Sequence, residues 1–193
     1  MSGLSEKELE FLKELNTWCR QNFDHVWSIP FEEGEFLHWL LRAQKSKSIL
    51  EIGGSYGMST CWLGLAAREN KGKVTSLEFR QEAVEAARKN LSQLGLEKTV
   101  EVIQGDAFEI LKTFAKEKKE FDFVFLDSHK GDYIKQFELF YSMLSKGAVV
   151  VADNINTHVK GTKPYVEFVQ NNPKLLSVTN PIGNGVELTI KLE

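Results

Sequence analysis

Two sets of polar residues in this 193-residue chain have the types and spacing to do chemistry. The first is Asp127, Lys130, Asp153 and Asn154. Its two carboxylates and one amide offer oxygen ligands, the donor set that selects a hard cation such as Mg²⁺, with Mn²⁺ or Ca²⁺ as alternatives. Such a set leaves coordination positions open for water or for the oxygens of a substrate. Lys130 follows Asp127 by three residues and can turn back over the same place. A divalent cation there would disfavour its protonated form and make it a general base. Each residue also has a plainer reading: Asp127 and Asp153 can cap loops without a metal, Lys130 can be a surface lysine, and the neighbouring His129 can stack on a ring or face water.

The second set begins in the run Ser48-Ile-Leu-Glu-Ile-Gly-Gly-Ser-Tyr-Gly-Met-Ser-Thr60. Gly53, Gly54 and Gly57 let a backbone turn tightly after an apolar strand, and Ser59 opens the helix that follows. Glu51 would gain nothing from a phosphate, so the ligand should carry positive charge or hydroxyl and amino donors. Glu78 comes 21 residues after Gly57, where a carboxylate can accept both hydrogen bonds of a ribose diol. Asp106, with the backbone of Ala107 beside it, can accept from an adenine amino group or cap a helix. Asp127 stands at the next strand end and counts with both sets. The pattern Glu-x-Gly-x-x-x-Gly departs from the Gly-x-Gly-x-x-Gly of dinucleotide sites and suits S-adenosylmethionine better.

Residues so far apart in sequence meet only if regular elements bring them together. Short β-branched runs over 48–53, 73–79, 100–104, 121–127 and 148–153 alternate with amphipathic stretches over 58–68, 81–94, 108–116 and 133–144. That alternation predicts an α/β fold with five parallel strands and helices on both faces. Ligands in such sheets bind outside the carboxyl ends of the strands, where Glu51, Glu78, Asp106, Asp127 and Asp153 fall. A helix near 163–171 precedes two strands over 175–179 and 186–192, whose turn-rich link predicts an antiparallel hairpin. Helices over 6–22 and 31–43 would form a cover (1–45) over the sheet core (46–193) of one domain. Trp18, Trp27 and Phe31 in this cover could wall a dry pocket or serve as core or interface.

The 24 basic and 27 acidic residues give a net charge of -3 with no extended basic run, which argues against nucleic acid as a partner. Cys19 and Cys61 have no zinc-site spacing. No apolar run approaches the roughly 20 residues that cross a bilayer, and no apolar signal opens the chain. A soluble cytoplasmic protein is the expectation.

Taken together, these residues resemble class I S-adenosylmethionine-dependent methyltransferases, and among them the cation-dependent O-methyltransferases of the catechol and caffeoyl-CoA type. The resemblance rests on Glu33-Gly-Glu-Phe-Leu37, Leu50-Glu-Ile-Gly53 with Gly57 and Ser59, Glu78, Gly105-Asp-Ala107, Leu126-Asp-Ser-His-Lys-Gly-Asp-Tyr133, Ala152-Asp-Asn154 and Pro181-Ile-Gly-Asn-Gly-Val-Glu187. It implies a Rossmann-like, seven-stranded, mostly parallel sheet ending in the hairpin. It further implies that Glu51, Gly53 and Ser59 hold the methionine part of S-adenosylmethionine, Glu78 the ribose, and Asp106 with Ala107 the adenine. Asp127, Asp153 and Asn154 become ligands of a divalent cation, most simply Mg²⁺. Lys130 becomes the base for a small hydroxylated acceptor, and Glu187 matches a position near the acceptor hydroxyl. A homodimer is implied as well. Two departures stand out: a short connector at 158–162, and Asn184 where relatives often carry Asp. The competing readings are a metal-independent methyltransferase and, from another class, a nicotinamide oxidoreductase or a nucleotide-binding module.

Overall fold

Along the central strands, successive apolar side chains fall on opposite faces: Ile49, Phe123, Phe125, Val149 and Val151 on one, Leu50, Ile52, Val124, Leu126 and Val150 on the other. A sheet that is apolar on both faces must be covered twice. The computed structural model describes residues 3–193 and shows this arrangement. Helices α1 (Glu6–Gln21), α2 (Phe31–Gln44), α3 (Met58–Asn70) and α4 (Gln81–Gln93) pack on the first face. Helices α5 (Ala107–Lys116), α6 (Tyr133–Phe140) and α7 (Val159–Gln170) pack on the second.

The strands are β1 (Ser48–Ile52), β2 (Lys73–Glu78), β3 (Val100–Gln104), β4 (Phe121–Leu126), β5 (Leu144–Ala152), β6 (Leu175–Asn180) and β7 (Val186–Lys191). They form a 7-stranded sheet in the order β3-β2-β1-β4-β5-β7-β6. The first five run parallel, and β7 inserts antiparallel between β5 and β6. The expected sheet and hairpin are therefore present. The strand order reverses between β1 and β4, which places a ligand crevice at their carboxyl ends.

Two boundaries differ from the sequence reading. The stretch expected as one helix over 133–144 is α6 followed by a 3₁₀ turn, Tyr141–Met143, and β5 starts at Leu144 instead of residue 148. Leu144 pairs with Phe121, and a register shift before Phe123 absorbs the Lys146-Gly147 bend, where Gly147 takes a φ of 79°. Helix α7 starts at Val159, so residues 158–162 are its cap and first turn and not a connector. Thr162 Oγ1 donates to the His158 carbonyl at 3.1 Å and closes that turn.

The N-terminal cover is tied to the sheet layer through α3. Gly34 of α2 lies on the Trp62 ring, where a Cβ would come within 2.1 Å of the indole nitrogen. Phe31 meets the same ring edge-on at 5.2 Å and belongs to the core. Among the described residues, no helix is long and apolar enough to cross a membrane.

Candidate active site

Parallel pairing sets Ile52 beside Leu126, and Leu126 beside Ala152, so the chain leaves β1, β4 and β5 at neighbouring points. Backbone bonds continue this contact past the strands, from Asp127 N to Ile52 O (2.9 Å) and from Asp153 N to Leu126 O (3.0 Å). Gly53 turns here with a φ of 99°, and a Cβ on it would stand 2.3 Å from the Asp127 carbonyl oxygen. The glycine turn and the β4 end therefore touch backbone to backbone, which brings the two sets of chemically capable residues together.

On the turn side, Glu51 is 0% exposed and points toward α3. Ser59 Oγ donates to its Oε1 at 2.6 Å, and Thr60 Oγ1 and Ser76 Oγ donate to its Oε2. Burial pushes its carboxyl up to about 7, and the three hydroxyls pull in the opposite direction. Gly57, with a φ of 91°, leads into α3 against Ala87. Glu78 ends β2, and its Oε2 accepts the Ser55 N–H at 2.8 Å. Its Oε1 accepts the Arg80 backbone N–H at 2.9 Å and Arg80 Nε at 3.3 Å. Asp106 serves as the N-cap of α5, accepting from Phe108 N at 2.7 Å, and Ala107 is the first residue of that helix. The capping alternative for Asp106 is thus realised, beside Glu78 through the Gly105 N to Glu78 O bond of 3.0 Å.

On the other side, Lys130 Nζ lies 2.5 Å from Asp127 Oδ1, brought back by the 3₁₀ turn Lys130–Asp132. Burial drives the Asp127 carboxyl up and the Lys130 ammonium draws it down, burial being the stronger. Asp153 is buried, and its Oδ1 accepts the Asn154 backbone N–H. Its carboxyl is pushed up, first by burial and then by the charge of Asp127. Asn154 sits in the left-handed region at a φ of 65°, with its side-chain amide on Thr157 Oγ1 at 3.1 Å. Among the described residues, no three or more His, Cys, Asp or Glu side chains form a ready metal cage. The expected set contains two carboxylates and an amide, all oxygen donors, and suits a hard cation.

Three sets of contacts are not foreseen in the sequence, although Glu33 and Asn184 are both marked there. Glu33 of α2 is 0% exposed and lies against Asp153. Asn184, in the β6–β7 turn, donates its backbone N–H to Glu33 Oε2 at 3.1 Å and its side-chain amide to Asp153 Oδ2 at 3.4 Å. An Asp at that position could not make the second bond. Arg80 spans Glu78, Ser55 Oγ (3.2 Å) and the His25 carbonyl (3.3 Å), with its guanidinium over Trp27 and Tyr56. Glu33 is one of two acids in the first turn of α2, a common place for an acid because it complements the helix dipole. Its one available signal was its place in the Glu33-Gly-Glu motif. Glu187 is buried in β7 and accepts from Gln170 Nε2 (2.9 Å), Ser177 Oγ (2.7 Å) and Thr179 Oγ1.

Comparison with known proteins decides the family. An O-methyltransferase family model matches residues 2–190. The chain belongs to this O-methyltransferase family. It is 35% identical over 128 residues to a catechol O-methyltransferase of Mycobacterium tuberculosis, a match covering 66% of the chain and 57% of that enzyme. The chain thus spans less than two thirds of that relative's length. Among solved structures, an O-methyltransferase from Bacillus cereus in complex with SAH superposes with a TM-score of 0.83 at 26% identity, covering 98% of this chain and 92% of the other. The O-methyltransferase TomG from Streptomyces achromogenes, in complex with SAM, gives 0.79 at 26% identity and covers 100% and 92%. Family membership and the fold displace the nicotinamide reading.

Proposed function

We propose that the chain transfers the methyl group of S-adenosylmethionine to a hydroxyl of a small, catechol-like aromatic acceptor, assisted by a divalent cation at Asp127, Asp153 and Asn154. The observation that supports this most is the meeting of Asp127, its Lys130 and Asp153 at adjoining strand ends, directly against the glycine turn. Two similar structures carry SAH or SAM, and a similar curated protein is a catechol O-methyltransferase. A homodimer belongs to the same proposal, and light scattering on the purified chain checks it.

When bound, S-adenosylmethionine supplies a methyl on a positively charged sulfur, and the cation supplies charge that steadies a deprotonated hydroxyl oxygen. The protein's own groups do the rest. Glu51, fixed by three hydroxyl donors, holds the glycine turn in shape and offers its carboxyl oxygens to the methionine ammonium end. Glu78 presents its carboxylate to the ribose, and the start of α5 faces the adenine. Lys130 takes the acceptor's proton, and Asp127 orients Lys130. The new oxygen–carbon bond forms as the sulfur–carbon bond breaks, and opposite charges are lost.

The test measures methyl transfer to a panel of catechols with and without EDTA, for the wild type, Asp153→Ala and Lys130→Met. Activity should vanish with EDTA and with Asp153→Ala. For Lys130→Met, kcat should fall by about 10²–10⁴-fold, while the rise in melting temperature on adding S-adenosylhomocysteine is kept. Activity indifferent to EDTA and to Asp153→Ala would remove the cation. The metal-independent reading would then stand, favoured by the Lys130 ammonium already resting on Asp127. Stabilisation by NAD and not by S-adenosylhomocysteine would overturn the cofactor.

A further inference from the structure

Glu33 is the least explained acid in the molecule. It is fully buried, comes from the N-terminal cover, and pairs with no lysine or arginine among the described residues. Its Oε2 accepts the Asn184 N–H, and its Oε1 has no hydrogen-bond partner. Its carboxyl is within hydrogen-bonding reach of Asp153, and the charge of Asp127 is felt there too. Asn184 touches both acids, one through its backbone and the other through its side chain, and so holds them side by side.

Burying one carboxylate beside another is costly unless something positive lies between them. The ammonium nearest the cluster, on Lys130, is spent on Asp127. Glu33 Oε1 is buried beside Asp153 with no donor from another residue. A cation shared with Asp153 would satisfy it.

We infer that Glu33 belongs to the cation site, supplying a further carboxylate oxygen to the shell of the ion that Asp153 binds, directly or through one of its waters. This inference rests on the cation reading above and extends it across the fold. It makes helix α2 part of the metal site and gives the β6–β7 turn, through Asn184, the task of holding Glu33 against Asp153.

The experiment is Mn²⁺ binding to the full chain, followed by calorimetry and by the loss of the free Mn²⁺ electron-resonance signal. Wild type, Glu33→Gln and Asp153→Asn are compared, with S-adenosylhomocysteine affinity as the check on folding. Gln keeps an acceptor for the Asn184 N–H and removes only the charge. Glu33→Gln should weaken Mn²⁺ binding by about 10–100-fold, the cost usual for a supporting ligand, and leave S-adenosylhomocysteine binding unchanged. Asp153→Asn should weaken Mn²⁺ binding at least as much. If Glu33→Gln folds poorly, Glu33→Asp, which keeps the acid and draws its carboxyl back by one methylene, should lower Mn²⁺ affinity in the same direction. Wild-type Mn²⁺ affinity retained by both Glu33→Gln and Glu33→Asp, while Asp153→Asn loses it, would overturn the role of Glu33 alone. No Mn²⁺ binding by the wild type would overturn this role together with the cation reading.

Discussion

Glu51 illustrates how much one side chain's meaning depends on what surrounds it. Its carboxyl is enclosed, answered by three hydroxyls and no cation, and burial lifts it to about 7 from an ordinary value of 4.5. The native state therefore keeps a proton that the unfolded chain releases near pH 4.5. Between those values the unfolded chain binds fewer protons, so this group's contribution to stability is complete below about pH 4.5 and is lost as pH rises through 7. Urea unfolding at pH 5 and pH 8 should show wild-type stability dropping by up to about 3 kcal/mol more than that of Glu51→Gln, which has no such proton to lose. Equal pH slopes would show that Glu51 is charged in the folded state. The sequence marked Glu51, Glu78, Asp106, Asp127 and Asp153 as strand-end acids, because position after an apolar run is a local property. What each then meets is local for some and not for others. Asp106 caps α5 and Asp127 holds Lys130 through residues two or three positions on, whereas Ser76 on Glu51 and Asn184 on Asp153 come from other elements of the fold.

At the level of elements, the turn after β1 is the part most dependent on one residue type. Gly53 needs its left-handed backbone, and it needs the absence of a Cβ because the Asp127 carbonyl occupies that space. Gly53→Ala should cost more than about 1 kcal/mol from the backbone conformation alone. It should also push the β1 turn off the β4 end, so that S-adenosylhomocysteine no longer raises the melting temperature. A variant that loses stability yet keeps the full ligand-induced rise would mean that the contact positions nothing. Strand and helix identities were legible throughout, since periods of two and of about 3.6 residues are written in the apolar pattern. The starts of β5 and α7 were not. Leu144 joins the sheet because Phe121 is there to pair with it, and residues 158–162 coil because His158 and Thr162 close a turn.

For the molecule as a whole, the sheet is a single layer shared by two apolar clusters, one under α1–α4 and the other under α5–α7. Neither cluster can be lost without exposing strands that the other also covers. Phe123→Ala in the first and Phe137→Ala in the second should each cost about 3–5 kcal/mol. Each variant should still unfold in one step, with far-ultraviolet circular dichroism and tryptophan fluorescence coinciding. Because the tryptophans all lie in residues 18–62, on the side of the first cluster, separated transitions for Phe137→Ala would show that the two faces unfold independently. The sequence by itself determined the α/β class, the parallel core with its hairpin, the glycine turn and the acids at the strand ends, because propensity, periodicity and turn chemistry act over a few residues. Only the tertiary structure decided that Gly53 rests on Asp127, that Arg80 joins Glu78 to the N-terminal segment, and that Glu33 stands against Asp153 with Asn184 between them. Those contacts link residues up to 151 positions apart, and no local rule of the chain can specify a meeting that depends on how helices and strands pack.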